Sequence, residues 1–109
     1  MAGTAPGLTD ATFDELIAGS ALPVVVEFGA DWCPPCKVLA PVLDEIAAEH
    51  HDRLVLYAID SDDHPELVAR FAVASVPTTL LFEDGALVKR LVGARGKRQL
   101  LEELADVLS

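Results

Sequence analysis

The chain has 109 residues, about half of them apolar, and a formal net charge of −10 from eighteen acidic and eight basic side chains. That length suits one compact domain, and no run approaches the roughly 20 apolar residues of a membrane helix. The acidic balance opposes phosphate backbones and anionic membrane surfaces, which recruit Lys and Arg clusters, so neither nucleic acid nor membrane is an expected partner.

No repeat, low-complexity tract or interior linker interrupts the chain, which reads as a single domain over 1–109 with residues 1–7 loosely ordered. Thr9 or Asp10 is placed to cap a first helix from about Thr12 to Ala18, with Phe13, Leu16 and Ile17 on one face. Val24 to Phe28 is a short, β-branched apolar run of the kind buried on both faces of a sheet. A helix follows from about Pro34 to Glu49, its apolar positions Val38, Leu39, Val42, Leu43 and Ile46 recurring at helical spacing. Pro41 lies inside it and is expected to kink it.

Leu54 to Ile59 predicts a second buried strand, the acidic run Asp60–Asp63 a solvated turn, and Pro65 the start of a short helix reaching Phe71. Thr78 to Phe82 and Leu87 to Val92 predict two strands joined by Asp84-Gly85, a strong hairpin signal. Gly96 precedes a last helix, Lys97 to Leu108, with Leu100, Leu101, Leu104, Val107 and Leu108 facing inward. This alternation followed by a hairpin predicts an α/β fold, a mixed sheet with helices on both faces.

The two cysteines, Cys33 and Cys36, stand three apart. A secreted scaffold stapled by disulfides usually carries more cysteines at wider spacing, and a bridge this short closes too small a loop to stabilise much. Chemistry is the better reading. The segment Trp32-Cys33-Pro34-Pro35-Cys36-Lys37 follows a buried strand and opens a helix. Cys33 then sits at a helix N-terminus, where unpaired N–H groups and the macrodipole favour a thiolate. The prolines suit the first helical positions, whose N–H groups have no partner anyway. Cys33 is expected to be the exposed nucleophile, and Cys36, one turn inside, the shielded resolving thiol. A zinc half-site is the structural alternative, but His50 and His51 are adjacent rather than spaced as finger ligands, and no metal site is expected. His50, His51 and His64 read as solvated surface histidines.

These residues, with Val24–Phe28, Ala40–Ala47, Val76-Pro77-Thr78 and Val92-Gly93-Ala94 in that order, resemble the thioredoxin family over nearly the whole chain. The resemblance implies a four- or five-stranded mixed sheet flanked by four helices. It implies that Cys33 attacks a substrate disulfide and Cys36 resolves the mixed disulfide, with Glu27 as a buried acid exchanging the proton. It makes Pro77 a cis-proline. It also assigns substrate contacts to Trp32, Pro34, Pro35, Val76, Pro77, Thr78, Val92, Gly93 and Ala94.

A protein of this kind acts as a protein-disulfide reductase in electron transport, with the Cys33–Cys36 disulfide as redox-active centre and no other cofactor. Its expected partners are an NADPH-dependent thioredoxin reductase and disulfide-containing client proteins, and it is expected to be a monomer. Residues 1–7 show neither the basic cluster nor the apolar core of a signal peptide, so the cytoplasm is the expected compartment.

The chain departs from the family pattern at named positions. Pro34 stands where Gly is usual between the cysteines, Glu27 replaces an Asp, Gly29 an aromatic residue, and Leu56 a lysine near the buried acid. Gly3, Pro6 and Gly7 suit a loop better than a first strand. Glu27 has a plainer alternative as a strand-end acid reaching water. Two other functions stay open at this point, a dedicated reductant with few clients and a thioredoxin-fold binding module whose disulfide does no chemistry.

Overall fold

Three β-branched residues in succession, Val24-Val25-Val26, open strand β1 (Val24–Gly29), and all six of its residues are buried. A strand with both faces covered has to lie in the middle of a sheet. The structure, a computed structural model, describes residues 3–108. Around β1 the chain adds α1 (Phe13–Ala18), α2 (Pro34–Glu49), β2 (Val55–Asp60), α3 (Pro65–Arg70), β3 (Thr78–Glu83), β4 (Ala86–Val92), α4 (Lys97–Glu103) and α5 (Ala105–Leu108). The sheet order is β2-β1-β3-β4. β1 runs parallel to β2, with Glu27 opposite Ala58, and antiparallel to β3, with Glu27 opposite Thr79.

Alternation along β1 divides the core in two. Val24, Val26 and Phe28 face α1 and α3, packing with Phe13, Ile17, Leu67, Leu80 and Phe82. Here the Phe13 ring lies 5.1 Å from Phe71 and 5.7 Å from Phe82, in tilted and edge-on geometries that suit aromatic quadrupoles. Val25 faces the other way, onto Leu39, Leu43 and Ile46 of α2 and Leu100, Leu104 and Val107 of the C-terminal helices. Each fully buried side chain of this size contributes roughly 1.5–3 kcal/mol against exposure. Glu27 shares the face of Val25, so it points beneath α2.

Three expectations need correction. The last helix is not continuous, so among the described residues five helices flank the sheet instead of four. The carbonyl of Glu103 accepts from the Lys89 ammonium of β4 at 2.5 Å, and Leu104 closes the turn with its N–H on the carbonyls of Leu100 and Glu102. Leu104 and Val107 are both buried in the core. Thr9 does not cap α1 directly. It exchanges bonds with Thr12 in a leading turn, its Oγ1 accepting the Thr12 N–H at 3.2 Å and its own N–H reaching Thr12 Oγ1 at 3.1 Å. Asp10 instead meets His64 at 3.3 Å, so that histidine is not simply solvated.

Of the segment 1–7, Met1 and Ala2 lie outside the described residues. Pro6 accepts the Ala58 N–H at 2.9 Å, Leu8 donates to the Ala58 carbonyl at 2.8 Å, and Gly7 forms a single parallel bridge with Ala58. A one-bridge contact on the β2 edge takes the place of a fifth strand. α2 stays helical through Pro41.

The β3–β4 turn has Asp84 at φ +52° and Gly85 at φ +80°, the pair of positive values that a two-residue primed turn demands. A Cβ on Gly85 would meet only Ala18 Cα, at an ordinary 4.0 Å. Gly85→Ala is therefore expected to cost about 1 kcal/mol through backbone conformation alone. Urea unfolding checks this; an unchanged midpoint would show that the turn relaxes at no cost. Beyond the turn the β3–β4 register slips by one residue, placing Val88 in a bulge.

Candidate active site

β1 delivers the chain to the C-terminal edge of the sheet, where the Gly29 carbonyl accepts the Ser61 N–H at 2.9 Å and the loop to α2 begins. Cys33 ends that loop in an extended conformation (φ −98°, ψ 104°) and is the N-cap of α2. Its sulfur performs the capping, accepting the Cys36 N–H at 3.2 Å. Pro34 and Pro35 fill the first two helical positions and leave no donor unpaired there. Cys33 and Cys36 form a disulfide, with their Cα atoms 5.3 Å apart.

Cys33 was expected to be exposed and Cys36 shielded, but in this oxidised form both are buried, at 2% and 4% exposure. Ala30 and Val76 pack around the bridge, and Cys33 Sγ lies 3.7 Å from the Val76 carbonyl oxygen. The two cysteines therefore differ in position along the helix and not in residue burial.

The surrounding rim comes from three other parts of the chain. The Val76-Pro77 peptide is cis, as the resemblance implied, and Pro77 is buried with its carbonyl accepting the Gly93 N–H at 2.9 Å. That bond ties the turn after β4 to the loop before β3. Gly93 adopts φ +90°, which only glycine takes without strain. Trp32, Pro34, Pro35, Val92 and Ala94 are exposed around the disulfide, and Val76 and Gly93 are half-buried. Thr78, expected to touch substrate, does not face the rim. Only 1% of it is exposed, and its hydroxyl donates to the Ser75 carbonyl at 2.7 Å. Trp32 is 67% exposed, yet its indole N–H is held by Asp62 at 2.8 Å. The acidic turn Asp60–Asp63 is thus more than a solvated loop, because it orients the largest apolar group beside the disulfide.

Beneath this rim, Glu27 is 3% exposed. The strand-end alternative, with the carboxylate in water, is excluded. Burial pushes its pKa from the ordinary 4.5 to about 7, and the negative charge of Asp44 on α2 adds to the rise. Leu56 lies on the same face of β2, beside the Val25 that it pairs with, and supplies no compensating charge.

The thioredoxin family model matches residues 5–106. The chain belongs to the thioredoxin family. With its disulfide at the start of α2, this thioredoxin-family protein is a thiol–disulfide oxidoreductase. It is 52% identical to a thioredoxin of Mycolicibacterium smegmatis over 103 residues, covering 93% of this chain and 92% of that protein. It is 50% identical over 101 residues to a thioredoxin of Mycobacterium tuberculosis, with coverage of 93% and 87%. A bifunctional thioredoxin reductase/thioredoxin of Mycobacterium leprae is 48% identical over 107 residues, but the chain spans only 23% of that protein's length.

Two residues of the thioredoxin site were not anticipated. Asp44 follows Cys36 at two steps of four along α2, a spacing that places it on the stripe of Cys36 and Ala40; helical periodicity carries that signal. Asp62 has no such mark, since the loop that brings it to Trp32 has no period.

Proposed function

We propose that this protein is a general protein-disulfide reductase that carries electrons from a thioredoxin reductase to client proteins. The observation that supports this most is the capping sulfur. Cys33 Sγ stands at the N-terminus of a sixteen-residue helix and accepts the Cys36 N–H, an arrangement that stabilises a thiolate. In the reduced protein, the Cys33 thiolate attacks one sulfur of a client disulfide, and the other client sulfur leaves as a thiolate. Cys36 then attacks Cys33 Sγ, closing the internal disulfide and releasing the second client thiolate. Two electrons have passed to the client.

Val76, with its half-buried backbone, the Val92–Ala94 turn, Trp32 and the two prolines form the surface on which the client docks. No cofactor beyond the cysteine pair takes part. The reducing partner is NADPH-dependent, the protein works as a monomer, and its compartment is the cytoplasm. No helix among the described residues is long and apolar enough to cross a membrane. Reduction of insulin disulfides in the presence of dithiothreitol tests the reaction, and reduction by a mycobacterial thioredoxin reductase with NADPH tests the electron source. Failure of both would leave only a binding module.

Pro34 sets an expectation for the redox potential. The N–H that reaches Cys33 Sγ belongs to Cys36, so proline at position 34 removes no donor from the sulfur. Its other effect is to stiffen the turn between the cysteines, which reduces the entropy lost on closing the disulfide. The oxidised form is favoured, as a reductant requires. The potential is expected at or below the about −270 mV reference value for thioredoxin. Equilibration with a glutathione series measures it. A value above about −200 mV would place the protein among oxidants and isomerases.

A further inference from the structure

Val92 ends β4 opposite Thr78, and the chain leaves the sheet through Gly93 and Ala94. Gly93 has φ +90°, and a Cβ there would find nothing within 4 Å, so side-chain packing does not fix its position. Beyond that strand pairing, the Gly93 N–H donates to the Pro77 carbonyl of the cis-proline loop. On the other side Arg95 reaches back over the turn. One terminal nitrogen of its guanidinium donates to the Val92 carbonyl at 2.9 Å and to the Gly93 carbonyl at 3.3 Å. The Nε edge of the same group faces Glu103 Oε2 at 2.9 Å, near the C-terminal end of α4.

That second contact is an ion pair and not a well-formed hydrogen bond. Both atoms are shut off from solvent, and neither has a hydrogen-bond partner of good geometry. The two side chains are 20% and 27% exposed, so their attraction is partly screened, while the facing Nε and Oε2 atoms themselves are shielded. Glu103 is itself fixed by the main chain, because its carbonyl takes the Lys89 ammonium from β4. Lys89 thus holds the backbone of Glu103, Glu103 faces Arg95, and Arg95 holds the carbonyls of Val92 and Gly93.

We propose that Arg95, seated on Glu103, is a positioning residue that fixes the Val92–Ala94 turn in the shape that client proteins and the reductase engage. The proposal rests on the docking role given to that turn above. Arg95 touches neither sulfur, so its contribution belongs to encounter and binding and not to thiol chemistry. Lysine is a poor substitute, since a single ammonium lacks the planar fork that serves two carbonyls and a carboxylate together.

The test is stopped-flow oxidation of the reduced protein by insulin, with rate measured against insulin concentration. Arg95→Met is expected to raise the half-saturating concentration roughly three- to tenfold, as suits the loss of charge-assisted bonds that order a binding loop. The maximal rate and the pH profile of Cys33 alkylation by iodoacetamide should stay within about twofold. Arg95→Lys should recover part of the loss, and Glu103→Gln should show a smaller loss in the same direction.

Val92→Asp, which places a charge directly on the exposed turn, separates this proposal from the reading beneath it. If Val92→Asp raises the half-saturating concentration and Arg95→Met does not, the role of Arg95 is overturned while docking at the turn stands. If neither does, the docking reading fails and takes the proposal with it. A fall in maximal rate or a shifted alkylation profile in Arg95→Met would also overturn the proposal, because Arg95 would then act on the cysteines.

Discussion

Cys36→Ser is expected to yield a protein that still attacks client disulfides but cannot release them, so that mixed disulfides on Cys33 accumulate. Cys33→Ser is expected to trap nothing. Turnover in insulin reduction should fall on the order of a thousandfold or more in both, since the two thiols act as one unit. Residue burial does not support this assignment, because both cysteines are buried in the disulfide form. It rests on the electrostatics of α2. Cys33 Sγ is the N-cap and receives the Cys36 N–H, whereas Cys36 lies within the first turn, past the point where the free N–H groups converge. Charge on sulfur is therefore worth more at Cys33. On the proposed docking surface, the exposed Trp32, Pro34 and Pro35 adjoin Cys33 along the chain. Non-reducing electrophoresis of each variant after exposure to oxidised client protein distinguishes the two. Adducts on the Cys33→Ser variant would reverse the roles.

Glu27 should make both stability and rate depend on pH near neutrality. Its pKa rises from 4.5 to about 7 in the folded state. Between those values the folded protein holds a proton that the unfolded chain has lost. Stability therefore declines as pH rises from about 4.5, and the full penalty, about 3 kcal/mol, is present above pH 7. Glu27→Gln keeps the shape and removes the ionisation. Relative to the parent it should gain about that amount between pH 4.5 and pH 8, measured by denaturant unfolding across the range. A parallel pH dependence of parent and variant would mean that Glu27 titrates normally.

The same substitution should slow resolution of the mixed disulfide by about tenfold near pH 7, because a neutral amide cannot accept the proton that Cys36 must lose. Asp44→Asn removes the charge that adds to the elevation and should move the Glu27 midpoint down, with the rate profile following. An NMR titration of the Glu27 carboxyl follows both effects directly.

What the sequence determined by itself is whatever depends on neighbours along the chain. The period of Leu39, Leu43 and Ile46 made α2 legible to its residue limits, Pro34 and Glu49. Val24-Val25-Val26 marked the central strand, Asp84-Gly85 the hairpin, and Cys33 ahead of two prolines the capped helix start. Each is a local preference of backbone or side chain, and no distant partner is needed to express it. The order of motifs was also enough to make the thioredoxin family recognisable.

The tertiary structure decided what depends on contacts between remote segments. Burial of Cys33 needs Val76, 43 positions away, to close over the disulfide. Thr78 is buried because β3 lies between β1 and β4, with Phe28 and Val92 opposite it. The carbonyl at the break between α4 and α5 is taken by Lys89 of β4, and the indole of Trp32 is held by an aspartate 30 residues later. The high proton affinity of Glu27 is of the same kind. A glutamate among valines is ambiguous in sequence, and only the packing of α2, with Leu56 and Asp44 beside it, removes the water that would have kept it an ordinary acid. Desolvation and long-range charge depend on what surrounds a group in space, and adjacency along the chain does not encode that.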